Sequence, residues 1–505
     1  MPNLTGRLPG EIVSVMKLFA KKPIEVLLAQ AAEQGDGTLK RGLGPFALTM
    51  LGIGSIIGAG IFILTGQQAA INAGPAILLS FVLAGITCAC AALCYAELAS
   101  MIPVSGSAYT YAYATLGEFV AWIIAWDLIV EYLFAASTVA AGWSGHLGDL
   151  LNGFGLAVPP QWASAPYKFV GDHFVHTGAI LNLPAIGIVL LMAAILISGI
   201  TESATVNNVI VALKVSIVVL VIVIGFAFID PALWKPFIPP ATHDANGEHF
   251  GFKGILTAAG VIFFAYIGFE TVSTAAQEAR DPQRTMPIGL LASLGICTVL
   301  YILMSLVITG LAPYHTLNNA HPVSAALASH PQLHWLRQVV NLGVAVGLGS
   351  TILSLLYGQS RIFYSMARDG LLPPFFGTLL KGRRTPWIGT LITAAFAGLA
   401  AGLLPLDVLG ELVSIGTLMA FALICAGVMY LRITRPDLPR SFKTPWWPGT
   451  AVIGILACLW LISGLGAPTF IRLVVWMAIG LVVYFGYAYW HSRYHERKLA
   501  AAPAE

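Results

Sequence analysis

Along most of the chain, apolar residues run on for about twenty positions at a time, broken by short polar stretches. A run of that length crosses the roughly 30 Å hydrocarbon core of a bilayer as one helix. Twelve such segments predict spanning helices at 46–70, 76–101, 117–145, 182–200, 204–229, 253–275, 287–311, 338–366, 386–404, 407–432, 448–466 and 470–491. The pattern therefore predicts an all-α integral membrane protein with a single transmembrane domain over 46–491. Residues 1–45 and 492–505 are left as polar tails, and Glu11–Phe19 with Lys21-Lys22 reads as an amphipathic helix lying on the membrane face.

Composition agrees. Of 505 residues 57% are hydrophobic and 10% charged, against about 25% charged in soluble chains, so lipid covers most of the surface. A net charge of +3 gives no reason to expect a nucleic-acid partner. The six cysteines all lie in apolar runs and read as core residues rather than a disulfide framework. No cysteine–histidine spacing suits a zinc site, the histidines form no cluster in sequence, and no cofactor is expected.

Of the 26 Lys and Arg residues, twenty fall on the side of the N-terminal tail and five on the other, with Lys214 inside a span. The excess predicts that both termini are cytoplasmic in a cell membrane. The long segments 146–181 and 230–252 then face outside as surface caps.

The first span carries Gly52, Gly54, Gly58 and Gly60. Each glycine costs a helix about 1 kcal/mol relative to alanine. One reading is close helix packing through small residues. The other is an unwound middle, with free N–H groups near Ala59, Gly60 and Ile61 and free carbonyls near Ile53 and Ile56. Such ends attract a carboxylate and an ammonium respectively, which suits a zwitterionic amino acid. The sixth span has a weaker break at Phe263–Glu270, with one glycine and an intramembrane Glu270. Interruptions five spans apart point to inverted repeats, one over about 46–229 and the other over about 253–432, with two extra helices over about 448–491.

The runs GIGSIIGAGIF at 52–62, CYAELASMIPVSGSAYTYAYATLGEFVAWIIAWDLIVEY at 94–132, FFAYIGFETVSTAAQEARDPQRTMPIG at 263–289 and YGQSRIFYSMARDGLLP at 357–373 resemble the amino acid–polyamine–organocation superfamily. The likeness is strongest to the branch of cationic amino acid transporters and their bacterial homologues, and covers residues 40–490. It implies a LeuT-like fold with a midplane site. By that resemblance the substrate carboxylate meets the amides of Ala59 and Gly60 beside Ile57 and Gly58. Its ammonium meets the carbonyls of Ile56, Phe264 and Ile267 near Ala265. Phe264 is the outer gate. Position 59, often Ser or Thr in relatives, is Ala here, so any side-chain hydroxyl contact is lost.

Lys214 lies ten residues into its predicted span, about 15 Å deep at 1.5 Å per residue. Burial penalises the charged form, so such a lysine can exchange a proton; alternatively it is a fixed cation tied to carbonyls or a carboxylate. The resemblance favours protons, since in proton-coupled members a lysine here stands where relatives hold sodium. Ser350-Thr351 is the counter-sign, resembling a sodium-ligating hydroxyl pair.

Glu131, about 21 Å along its helix, shares a face with Asp127 and reads as a second proton site, a group near the substrate side chain, or a carboxylate bonded to a neighbouring helix. Glu97, Glu118, Glu278, Arg280, Asp281, Arg284, Arg361, Arg368 and Asp369 read as gating or anchoring charges. Leu355 stands where, by the resemblance, cation carriers have a smaller or polar residue, so the expected substrate is a small neutral amino acid such as alanine. Arginine or lysine is the alternative because of Glu131, and a non-transporting sensor remains open. A channel lacks a polar pore here, and no enzyme motif is present. The expected partners are an amino acid, protons and lipid; an accessory subunit is left open.

Overall fold

The structure is a computed structural model that describes residues 18–32 and 39–493, apart from 154, 157, 171–172, 245–246, 320 and 466. Most of the predicted amphipathic stretch at 11–19 and of the tail beyond 491 lies outside the described residues. Each of the twelve predicted segments falls on apolar helix. Among the described residues eight helices are long and apolar enough to cross a membrane, and four apolar ones are shorter, Pro45–Ile56, Leu183–Ser198, Trp387–Leu403 and Trp447–Ser463.

Local chemistry sets many of the ends. Proline occupies the first turn of Pro45–Ile56, Leu183–Ser198 and Pro282–Leu311, where its missing N–H costs nothing. The Asn182 side chain caps Leu183–Ser198 by accepting from Ala185 N. At Gly199, φ is 140°, a conformation that lets the chain turn between Leu183–Ser198 and Ile200–Phe226 without a loop.

The helices pack in two sets. Pro45–Ile56, Ile77–Met101, Gly251–Ile262 and Pro282–Leu311 form one, and Glu118–Gly153, Leu183–Ser198, His334–Arg368 and Trp387–Leu403 the other. His334–Arg368 is buried along most of its length and touches both sets.

The segments 146–181 and 230–252 differ from the all-α expectation. Tyr167–Val170 pairs antiparallel with His173–His176, and Thr242–Asp244 with Gly247–His249. Two-stranded hairpins this short carry little periodic signal, which is why hydropathy alone passed over them. Helix Glu118–Gly153 also runs beyond its predicted end at 145.

Charged groups gather toward the end of the molecule where the chain enters. Glu97 accepts from Arg432 at 2.8 Å, from Arg440 at 3.1 Å and from Thr444 N at 2.8 Å. Arg361 pairs with Glu278 at 3.0 Å, both almost wholly buried, and Tyr357 donates to the same carboxylate. Lys22 pairs with Asp369, which also accepts from Tyr109 at 2.7 Å. Glu118 accepts from Tyr113 at 2.6 Å and Tyr484 at 3.1 Å. The charges read as anchors therefore do form such pairs at Glu97, Glu278, Arg361 and Asp369, whereas Glu118 is held by hydroxyl groups.

Candidate functional site

The helix Pro45–Ile56 stops where Ile57 turns extended (φ −73°, ψ 95°), and helical winding resumes at Gly60. The glycines thus mark a real break rather than packing alone, and Gly58 and Ala59 bridge it. Amides at the start of the second half have no preceding turn to bond to, and carbonyls at the end of the first half lack a following one. The Ile53 carbonyl is satisfied by Ile57 N at 2.9 Å. Those of Gly54 and Ile57 turn toward Lys214, whose Nζ lies 2.8 and 2.6 Å from them. The Thr351 hydroxyl is 2.9 Å from both carbonyls and 3.3 Å from Nζ. Lys214 is fully buried, so an ammonium there needs this cage of acceptors. Of the two hydroxyls read as a sodium pair, Thr351 belongs to that cage, whereas Ser350 bonds its own helix at Gly347 O.

The second break lies opposite. Gly251–Ile262 tightens into a 3₁₀ turn over Phe263–Tyr266, leaves helical geometry at Ile267 (ψ 134°) and passes Gly268 at φ 118°. Here the orphan is a donor: Gly268 N gives its hydrogen to Glu270 Oε2 at 2.9 Å. Tyr132 donates to the other oxygen at 3.1 Å. Ser55, Thr271 and Tyr132 continue as a hydroxyl chain at 3.2 and 3.3 Å, joining the first break to Glu270. The two broken spans cross with no room to spare: a Cβ at Gly60 would lie 2.5 Å from Ala265 Cα, and one at Gly268 2.6 Å from Ser55 Oγ.

Tyr301 joins the breaks a second time. Its hydroxyl is 2.7 Å from the carbonyls of both Ile56 and Ala265. The sequence reading missed it; its one signal is a lone phenol deep in the apolar segment 287–311.

Between the breaks is a cavity of about 10 Å³, the space of about one water. Of the residues singled out in the sequence, Ile56, Gly58, Ala59, Gly60, Phe264, Ile267 and Leu355 line it, together with Ser55, Ala135, Val139 and Thr351. Ile53, Ile57 and Ala265 stand behind its wall. The carbonyls of Ile56 and Phe264 already accept from Tyr301 and from Ile267 N at 3.2 Å, but each keeps a second lone pair. Ala135, Val139 and Leu355 give the cavity an apolar wall. Glu131 is one turn from Ala135, outside the lining. It and Asp127 are fully buried and their oxygens have no hydrogen-bond partner among the described residues. Asp127 is instead pressed against Gly416, where a Cβ would overlap its carboxylate.

Two interrupted helices facing each other across a small, largely apolar chamber, with a buried cation at one interruption and a buried carboxylate at the other, have the form of a membrane carrier's binding site. The whole chain carries the corresponding signature: residues 43–489 match the amino acid permease family, and the chain belongs to it. It is 44% identical over 475 residues to a methylthioribose transporter of Bacillus subtilis (strain 168), covering 94% of this chain and 98% of that one. It is likewise 44% identical over 480 residues to the branched-chain amino acid permease BcaP of the same organism, covering 95% and 99%. A vacuolar cationic amino acid transporter 4 of Arabidopsis thaliana is 36% identical over 403 residues, which are 80% of this chain and 65% of that one. This is a multi-pass membrane permease, not an enzyme.

Proposed function

We propose that the protein is a proton-coupled importer of small neutral L-amino acids, working by alternating access in a twelve-span LeuT-like fold with both termini cytoplasmic. The observation that carries the reading is Lys214 bound at 2.6–2.8 Å to the Gly54 and Ile57 carbonyls at the first break. As an ammonium the lysine holds the break in shape with charge-assisted hydrogen bonds; as an amine it keeps only two weaker, uncharged donors and its grip on those carbonyls loosens. Protonation and the shape of the substrate site are then one event.

An amino acid binds with its carboxylate at the Ala59 and Gly60 amides and its ammonium at the carbonyls of Ile56, Phe264 and Ile267, with Phe264 and Glu270 as gate. Glu131, a buried carboxyl group one turn below the chamber with no hydrogen-bond partner among the described residues, serves as a second place to take up and give back a proton. The set holding both breaks rocks against the set holding Glu118–Gly153 and His334–Arg368.

Labelled alanine offered to proteoliposomes under an inward proton gradient, without sodium, tests this. Accumulation that a protonophore abolishes and serine or glycine competes supports it; sodium-dependent or gradient-independent uptake overturns the coupling. A second substrate reading, a solute larger than alanine such as a branched-chain amino acid or methylthioribose, is favoured by the names of the two Bacillus relatives and by the small Ala135 in the chamber wall. Preference for leucine, isoleucine or methylthioribose over alanine in the same assay selects it.

A further inference from the structure

Two of the eleven histidines scattered through the sequence meet at one place away from the chamber. His146, near the far end of Glu118–Gly153, and His321, the residue before the short helix Pro322–Ala328, face each other with ring centroids 4.4 Å apart and planes inclined by 61°. His146 is only 3% exposed, yet neither of its ring nitrogens has a hydrogen-bond partner among the described residues. A buried imidazole without partners is costly, and this one has a second imidazole as its neighbour. Neutral imidazole nitrogens are good ligands for borderline divalent cations such as zinc.

In the alternating-access mechanism proposed above, on which this part of the inference rests, the pair also spans a seam that moves. The segment carrying His321 rests on the second half of the first broken span. Gln67 donates to Asn319 O at 3.2 Å, and a Cβ at Gly66 would overlap Pro322. His146 stands on the opposite set of helices. An ion held by both rings ties the cap over the first span to Glu118–Gly153.

We propose that His146 and His321 form a two-histidine site for a divalent transition-metal ion of the zinc class, entering from the outer face, and that its occupancy clamps the outer end of the carrier shut. Two imidazoles leave the remaining zinc positions to water, so the site is one of regulation by reversible binding, and it stands whatever the substrate and coupling ion prove to be.

The test needs no transport. Full-length protein in detergent is titrated with zinc chloride against a chelating dye, and its thermal midpoint is followed with zinc or magnesium present. The expected result is one zinc per chain and a rise in midpoint with zinc alone. In His146→Ala and His321→Ala the affinity drops by at least about tenfold and the rise disappears. The double variant His146→Cys with His321→Cys keeps zinc binding, because thiolates also ligate zinc. Equal zinc affinity in the wild type and both alanine variants overturns the proposal, as does no binding by the wild type. With His321 partly exposed, His321→Ala serves even where the buried His146→Ala misfolds.

Discussion

The two breaks look alike in outline and are held in opposite ways. At the first, exposed carbonyls need a donor, and a lysine from a neighbouring helix supplies it at 2.6–2.8 Å. At the second, an exposed amide needs an acceptor, and Glu270, two residues further along the same strand of backbone, supplies it at 2.9 Å. One break is held from outside by a group on another element. The other is held by its own chain. The second also takes a hydrogen bond from a different helix, Tyr132 to Glu270 at 3.1 Å, but the charged group that holds the first break stands wholly on another helix, which in the proposed mechanism suits it to coupling. Tyr301 and the chain Ser55–Thr271–Tyr132 link the two.

The strongest way to break this contrast is Lys214→Met. The loss of charge-assisted hydrogen bonds of about 1.5–3 kcal/mol each is expected to lower gradient-driven uptake by about a hundredfold. Exchange of internal for external substrate should fall less, because it needs no net proton movement. Paired uptake and counterflow assays decide it, and undiminished gradient-driven uptake removes lysine from the coupling.

At the second break Glu270→Ala should cost about tenfold in transport, the equivalent of one buried hydrogen bond near 1.4 kcal/mol. Glu270→Gln, which still offers an oxygen to Gly268 N, should stay within about threefold of the wild type, since an acceptor is what the break requires. If Gln is as damaging as Ala, the carboxylate's charge matters, and the two breaks are less different than their geometry suggests.

Tyr301→Phe removes the bridge but no charge. An expected loss of about fivefold in uptake reflects a hydrogen bond of about 1 kcal/mol, with a drop of a few degrees in the thermal midpoint. A variant transporting normally would show that the hydroxyl chain alone ties the breaks. Smallest in overall rate is Leu355→Ser at the chamber wall. Alanine uptake should change by about twofold while larger or cationic side chains gain by a factor of about five to ten, a methylene-scale effect of about 1–1.4 kcal/mol. Competition by a panel of amino acids measures it, and an unchanged panel means Leu355 does not set pocket length.

Much of this was legible beforehand, and the reasons are physical. Spanning helices follow from apolar runs of fixed length, and the first break follows from four glycines in a place where glycine has a cost. Lys214 stood out because a charge at that depth demands an explanation. What escaped were groups whose role exists only through a distant partner. Tyr301 is one apolar-looking residue among many until the Ile56 and Ala265 carbonyls arrive beside it. Thr351 was noticed as a sodium ligand, yet its hydroxyl serves the lysine's acceptors. His146 and His321 are far apart in sequence and meet only because the cap folds back over the end of a long helix. The outer hairpins escaped for a different reason, being too short for any period to register.

The pairing of Lys22 with Asp369 bridges 347 positions of the chain. At 5–20 residues per second, the ribosome delivers the carboxylate roughly 20–70 s after the lysine. Until then the entry segment has no anionic partner there, and eight helices must be in place before this fastening can close. A chain truncated before Asp369 lacks this ion pair, and its entry segment is left with backbone bonds such as Lys22 N to Tyr113 O at 3.1 Å and Glu118 N to Ala20 O at 3.0 Å.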